Sequence, residues 1–424
     1  MNRILLLIGV VLSIARPAEG GELRLWPAAH PTHAVASAQT PSPKGPHVRP
    51  LQSFADALGV RLGGASDQAV FDAAEAAMKA TPGGLYVKVP PGRYRLHRIR
   101  FGSNSGYYSE APQTVVLEQM RSSTSSEDTV FVALNDPYAT NWLFWGFTLD
   151  GGWQYGRRPY ADHPEQDPWL DHQHALSLTN TLSGVNDRKY RENSPIGAQN
   201  PRGRYGELLI ANFGGDGLRA AGAGAQTVSA IQIFNVGGRG VAWTTYDNNA
   251  SLIDIGGTGR EGFYCGPNCG NNRLDTVKIW YSGIRRIAGA SAGLLIDRGA
   301  SNRLVGLQIQ DTAGDGVVLD GGYDNSLDLG VQWQGEIAWM DAPVAALTLK
   351  GALFNRVTMN VSIPRYAAQR YPAVTRLLDD QIGPDKTASI TNIIDILSDL
   401  PPEVAIVSHP LALSNRLTVN GSIR

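Results

Sequence analysis

Two stretches of this chain align without a gap, Ala292-Gly-Leu-Leu-Ile-Asp-Arg-Gly-Ala-Ser-Asn302 over Asp315-Gly-Val-Val-Leu-Asp-Gly-Gly-Tyr-Asp-Asn325. A repeat constrains the fold more than any other feature, because every unit must bury the same face against its neighbours. Asn-x-Leu or a close variant recurs at Asn249, Asn272, Asn302, Asn325, Asn355 and Asn415, and the first four intervals are 23, 30, 23 and 30 residues. A glycine opens an apolar run nine residues before several of these positions: Gly240 before Asn249, Gly293 before Asn302 and Gly316 before Asn325. Gly217 stands in the same relation to Gln226. Two or three short strands with Gly and Asn corners, repeated at this interval, describe one coil of a parallel β-helix. Leucine-rich repeats would need a denser leucine pattern, and a propeller a longer period. The asparagines are expected at corners, where their side chains stack and satisfy turn backbone. The longer intervals are coils carrying inserted loops.

Composition fits an all-β solenoid. Glycine accounts for 48 of 424 residues, charged residues for 18 % and hydrophobic ones for 42 %, with a formal net charge of −1. The near-neutral balance excludes a basic nucleic-acid-binding stripe, and the apolar content excludes intrinsic disorder. Arg3, the apolar run Ile4 to Ala15, and the small residues Ala18 and Gly20 follow the order of a secretory signal peptide over residues 1–20. Pro27, Pro31, Pro41, Pro43, Pro46 and Pro50 mark 21–50 as a leader or linker. No later segment is apolar for long enough to span a bilayer, so the expected location is secreted or periplasmic. In that compartment Cys265-Gly-Pro-Asn-Cys269 reads as a structural disulfide closing a small loop.

One amphipathic helix is predicted near 67–79, capped by Ser66, with Val70, Phe71, Ala74, Ala77 and Met78 on one face and Pro82-Gly83-Gly84 as its stop. From about residue 85 the chain reads as strands and turns, with almost no further helix until about residue 372. Asp56-Ala-Leu-Gly-Val60, this helix, Gly83-Gly84-Leu-Tyr-Val-Lys-Val-Pro-Pro-Gly-Arg-Tyr94 and Gly146-Phe-Thr-Leu-Asp-Gly151 together resemble the pectate-lyase-like single-stranded right-handed parallel β-helix superfamily. That superfamily includes polygalacturonases, polysaccharide lyases, fructan transferases and tailspike depolymerases. The resemblance covers about 51–424 and implies an all-β solenoid with an N-terminal capping helix, a polysaccharide or oligosaccharide substrate and, from its tailspike members, a homotrimer as one assembly to test. The polygalacturonase pattern of Asn-Thr-Asp, paired aspartates and Gly-His-Gly is missing, so no catalytic residues carry over.

In a β-helix one repeat position becomes a column of side chains about 4.8 Å apart. The position before the repeat glycine reads Asp216, Arg239, Glu261, Ala292 and Asp315, with His174 in a similar place ahead of Ala175. Asp216 and Glu261 fall two coils apart, about 9–10 Å, as two carboxylates flanking a glycosidic bond would. Arg239 between them suits an anionic or hydroxyl-rich sugar. The competing reading is a salt-bridge ladder that relieves like-charge repulsion.

Two insertions, 153–172 and 183–205, interrupt the repeat near His174. The first carries Trp153, Tyr155, Tyr160 and Trp169, which either stack on sugar rings or pin the loop. The second is rich in cations: Arg188, Lys189, Arg191, Arg202 and Arg204. Trp243 and Tyr246 leave the same coil as Arg239 and join the candidate substrate-binding set, as does His172. Asp171, His172 and His174 admit a metal, a catalytic role (for His174) or a substrate contact, or a structural role, with no third fixed ligand to complete a metal site. Asp150, Asp320 and Asp324 read as turn residues.

Three functions remain open. One is a glycosidase or glycosyl-transferring enzyme using Asp216 and Glu261, with no cofactor. Another is a polysaccharide lyase, with Asp216, Asp247 and Glu261 holding Ca²⁺ while Arg239 removes a proton. The third is a non-catalytic glycan-binding or envelope protein.

Overall fold

The computed structural model describes residues 47–120, 129–134, 139, 141–153, 173–179, 203–222, 224–333, 344–362, 375–399, 406–407 and 415–423. The expected signal peptide, most of the expected leader and most of the two expected insertions lie outside these residues. Two sheets run the length of the domain, one of 17 strands and a narrower one of 11. Successive coils pair in parallel register, as where Gly206, Ser229, Ser251 and Asp275 align in the wide sheet and Leu218, Val241, Phe263, Leu294 and Val317 in the narrow one. The C-terminal pair Arg416–Val419 and Ser422–Ile423 is antiparallel. The chain is a parallel β-helix.

The repeat glycines form one edge of the narrow sheet. Each N–H donates to the carbonyl of the residue before the next glycine: Gly217 to Arg239, Gly240 to Glu261, Gly262 to Ala292, Gly293 to Asp315. Packing explains the glycine. A Cβ on Gly240, Gly262 or Gly293 would stand 2.3, 2.3 or 2.5 Å from the Cγ2 of Ile255, Ile279 or Ile309 in the facing sheet. These contacts are far below van der Waals separation, so a side chain there would force the two sheets apart.

The asparagines form the opposite corner. Asn248, Asn272, Asn302, Asn325, Asn355, Asn392 and Asn415 stack in sequence, each Nδ2 donating to the next Oδ1 at 2.8–3.0 Å. The same Oδ1 accepts a backbone N–H from the coil before it, as Asn325 does from Asn302. The ladder residue in its coil is Asn248, 1 % exposed, and not the expected Asn249, which is exposed and begins a wide-sheet strand. Asn392, in a longer coil, is a further rung.

Wide-sheet strands kink at a column of left-handed residues, Glu207, Ala230, Leu252, Thr276 and Gly306. The kink slips the in–out alternation by one residue, so Val228 and Ile231 both face the core. The coil after Gly306 lacks the extra residue, and the register shifts there.

Two helices precede the coils, Gln52–Leu58 and Asp67–Ala80. The second buries Val70, Phe71, Ala74 and Met78, and Phe71 meets Tyr94 and Tyr107 at 5.9 and 5.4 Å. Ser66 makes no side-chain cap. Asp67 does the fastening, accepting the N–H groups of Gly63 and Gly64 and of Arg95. Val48–Pro50, within the expected leader, already pairs with Tyr86–Lys88. Near residue 372, where helix was expected to resume, the next described element is the strand Thr375–Gln381.

Candidate functional site

The residue before each repeat glycine has a backbone problem that its sequence position imposes. Its carbonyl takes the glycine N–H of the preceding coil, but its own N–H lies at a corner outside the regular ladder and needs an acceptor. At Asp216, at Arg239 and at Ala345, where Ala346 takes the glycine's place, the side chain one coil earlier supplies it. Asp216 N–H donates to His174 Nδ1 at 2.9 Å, Arg239 N–H to Asp216 Oδ1 at 2.7 Å, and Ala345 N–H to Asp315 Oδ1 at 2.8 Å. His174 therefore carries its lone pair on Nδ1 and its ring proton on Nε2. The contact of Nδ1 with Asp216 Oδ2, 3.7 Å, is not a hydrogen bond in that tautomer.

Glu261 departs from this pattern and reaches back. Its Oε2 accepts Arg239 Nε–H at 3.0 Å and lies 3.7 Å from Arg260 Nε. The Arg239 guanidinium also lies over the Tyr264 ring, 4.0 Å from its centroid. Among the described residues the two terminal nitrogens of Arg239 make no hydrogen bond, and its side chain is 22 % exposed. Glu261 by contrast is 1 % exposed. The carboxylate expected to exchange protons with substrate is thus a buried anchor for arginine. Asp216 keeps Oδ2 at the surface side, 3.5 Å from Arg219 Nε, with a side chain 11 % exposed.

Three residues beyond each column member a second outward column rises in register: Ser177, Arg219, Ala242, Tyr264, Leu295 and Val318. Arg219 and Tyr264 were missed in the sequence, although strand alternation beside the first column would have found them. The Tyr264 hydroxyl donates to Asp297 Oδ2 at 2.9 Å. Its pKa is pushed up to about 12, first by burial and then by that bond. Beyond Tyr264 the face turns apolar at Ala292, Leu295 and Val318. In the first column Ala292 interrupts the charge before Asp315.

Several expected site residues lie elsewhere. Trp243 is 0 % exposed, because it shares the inward face with Val241, and it packs edge-on against Phe263 at 5.3 Å. Trp153 is 1 % exposed and is no sugar platform. Tyr246 bridges to Gly270 at the asparagine corner, a strand's length from Arg239. Asp247, bonded to Asn271, sits at that far corner too. Asp216, Asp247 and Glu261 therefore do not assemble as a Ca²⁺ site, and Glu261 is already taken by two guanidiniums. Among the described residues no three His, Cys, Asp or Glu side chains group to hold a metal. Tyr155, Tyr160, Trp169, Asp171 and His172 lie outside the described residues. Tyr205, at the end of the expected second insertion, is core and stacks on Trp142 at 5.8 Å. Asp150 accepts the Gly152 N–H in a turn. Cys265 and Cys269 are joined, with Cα atoms 5.3 Å apart.

The two stacked parallel sheets define a right-handed parallel β-helix. No family model and no curated protein sequence matches the chain. Among solved structures it is similar to the enzymatically active domain of tailspike protein 2 from bacteriophage CBA120, with a TM-score of 0.63 and 14 % identity, over 89 % of this chain and 52 % of that one. The chain thus spans about half of that tailspike domain. The A-module of mannuronan C-5 epimerase AlgE4 from Azotobacter vinelandii follows, with a TM-score of 0.56 and 15 % identity, over 87 % of this chain and 95 % of that one. The gp42 tailspike of an Acinetobacter phage matches at 0.51 and 11 % identity, over 90 % and 64 %. At these identities the likeness is one of fold. No helix among the described residues is long and apolar enough to cross a membrane.

Proposed function

We propose that the protein is an exported carbohydrate-active enzyme that takes an acidic polysaccharide along the column His174, Asp216, Arg239 and Glu261. The observation that carries this reading is the state of Arg239. Its guanidinium is held by Glu261 through Nε and by Tyr264 across its face, and its terminal nitrogens make no hydrogen bond among the described residues. A planar fork fixed in that way suits the carboxylate of a uronate, which it would bind through two parallel N–H donors.

In this reading Asp216 carries the proton transfer. Its Oδ1 is fixed by the Arg239 N–H, so Oδ2 has one orientation, beside Arg219 and one coil from the bound anion. Glu261 is a positioning residue. The reaction class is cleavage of a glycosidic bond, with Asp216 as the acid or base. A second reading, abstraction of the proton beside the uronate carboxylate, draws on the same arginine, which would stabilise the charge that develops there. The name of the epimerase neighbour, an enzyme of mannuronan C-5, describes chemistry at such a carbon.

The test is incubation of the purified protein with neutral and uronate polysaccharides, following reducing ends and ultraviolet absorbance together. Hydrolysis raises reducing ends alone, and elimination raises both. Epimerisation raises neither and is read from the sugar composition of the polymer. Substrates drawn only from the neutral set would overturn the acidic assignment. Binding without any of these changes would favour the non-catalytic alternative.

A further inference from the structure

Around the corner from Arg239, the outer face of the wide sheet carries an aromatic group that the proposed chemistry does not use. Trp280 ends its strand in register with Gly256, and Gly256 is in register with Phe234. The indole lies across Gly256 so closely that a Cβ there would stand 2.4 Å from its Cε2. Its ring centre is 5.6 Å from that of Phe234 and 4.9 Å from that of Tyr281. The Nε1–H donates to Asp254 Oδ1 at 2.7 Å, and Lys278 Nζ lies 6.0 Å from the ring centre. All five side chains are partly exposed.

Two choices of residue favour this platform over an ordinary strand end. Glycine inside a strand weakens it and marks a close approach, here that of the indole. Tyr281 takes a left-handed conformation, φ 54°, at a position filled in neighbouring coils by Asn212, Asn235, Gly257 and Asp311. Those residues adopt that conformation readily, whereas a bulky aromatic does not. Burial in the core explains neither choice, because the Trp280 and Tyr281 side chains are both partly exposed.

We propose that Trp280, flanked by Phe234 and Tyr281, is a stacking subsite for a pyranose ring, with Asp254 and Lys278 meeting its hydroxyls. This rests on the carbohydrate reading above and adds to it a second contact for the same chain. The indole is flat and pinned at its nitrogen edge by Asp254, with the Lys278 ammonium over the ring, so that an aromatic face, an acceptor and a cation adjoin one another as the C–H face and hydroxyls of a sugar require. Gly256 and Glu261 are five residues apart, so a glycan at the platform lies within about 17 Å of backbone from the charged column.

The experiment is affinity electrophoresis of the full chain through gels containing polygalacturonate, alginate or a neutral β-glucan, with turnover measured on the same polymers. Trp280→Ala should weaken retardation at least tenfold on any polymer that retards the wild type, and Trp280→Phe should keep most of it. Tyr281→Gly should weaken it several-fold while the melting temperature holds or rises, since glycine suits φ 54°. That variant decides the matter alone if Trp280→Ala fails to fold. The proposal is overturned if Trp280→Ala and Tyr281→Gly both migrate as wild type, or if none of the polymers retards the wild type. Binding lost in Trp280→Ala with no polymer altered would sustain the subsite and sink the catalytic reading. Turnover abolished by Asp216→Asn, with Trp280→Ala unchanged in binding and KM, would do the reverse.

Discussion

Glu261 lies one coil beyond Arg239 and accepts its Nε–H at 3.0 Å, while remaining 1 % exposed itself. A carboxylate so placed fixes the guanidinium and has no route to a substrate proton. Glu261→Gln keeps an acceptor but loses the charge, and should raise KM for an acidic polysaccharide about tenfold with a smaller change in kcat. Asp216→Asn should instead lower kcat by about 10²-fold, the usual loss for a general acid or base. Steady-state kinetics on one substrate separate the two. Equal collapse of kcat in both variants would return Glu261 to the reaction.

Tyr264 supports Arg239 with its ring and Asp297 with its hydroxyl, and only the first matters for anion binding in this scheme. Tyr264→Phe should change kcat/KM by less than about threefold, whereas Tyr264→Leu should raise KM, because a cation over an aromatic face gains about 1 kcal/mol that an aliphatic cannot supply. A pH profile of the wild type should show no break from this phenol in the neutral range, since its pKa is pushed up to about 12. A leucine variant with wild-type KM would remove the ring from the argument.

Asn302 donates to Asn325 Oδ1 and to the Cys269 carbonyl, and accepts from the backbone and side chain of Asn272. Asn302→Ala strands several of these buried groups and should cost about 3 kcal/mol or more. The exposed Asn249→Ala should stay within about 0.5 kcal/mol. Urea denaturation of both variants tests which asparagine of the pair 248–249 belongs to the ladder type.

Those two asparagines also show where sequence reading stops. The period was visible because glycine and asparagine answer to hard constraints, contact with an isoleucine and a backbone corner. Counting intervals cannot choose between adjacent asparagines, since only burial distinguishes them. Trp243 was legible in principle: it stands two residues from Val241 and so faces inward. Arg219 and Tyr264 follow from the same alternation applied to the column itself. The reversal of Glu261 toward the preceding coil was not legible, because a longer side chain can reach either neighbour and no spacing decides which. Nor was the kink at Ala230 and Leu252, residues whose identity gives no hint of a left-handed backbone.

Asp254 offers a pH test. Burial is the largest cause raising its carboxyl above 3.8, opposed by the Trp280 hydrogen bond and the charge of Lys278. The folded protein therefore binds this proton more tightly than the unfolded chain. The associated stability is full below the unfolded pKa and is lost as pH rises through the folded one. Asp254→Asn keeps an acceptor for the indole and removes that loss. The melting temperature of the variant minus that of the wild type should grow as pH rises through the carboxylate range and then level off. A difference independent of pH would mean that the carboxylate is as well solvated folded as unfolded.

The in-register pair Asp297 and Asp320 gives the solenoid a kind of spare part. Because Gly293 and Gly316, and Asn302 and Asn325, occupy equivalent places, excising residues 293–315 would set Gly316 directly after Ala292 and bring Asn325 to Asn272. Asp320 would then arrive where Asp297 had been, beside the Tyr264 hydroxyl. The stack would be shorter by about 4.8 Å, with the environment of Arg239 restored by the incoming coil. Length in such a molecule changes in whole turns, and a site built on one run of turns is insulated from the loss of a turn beyond it.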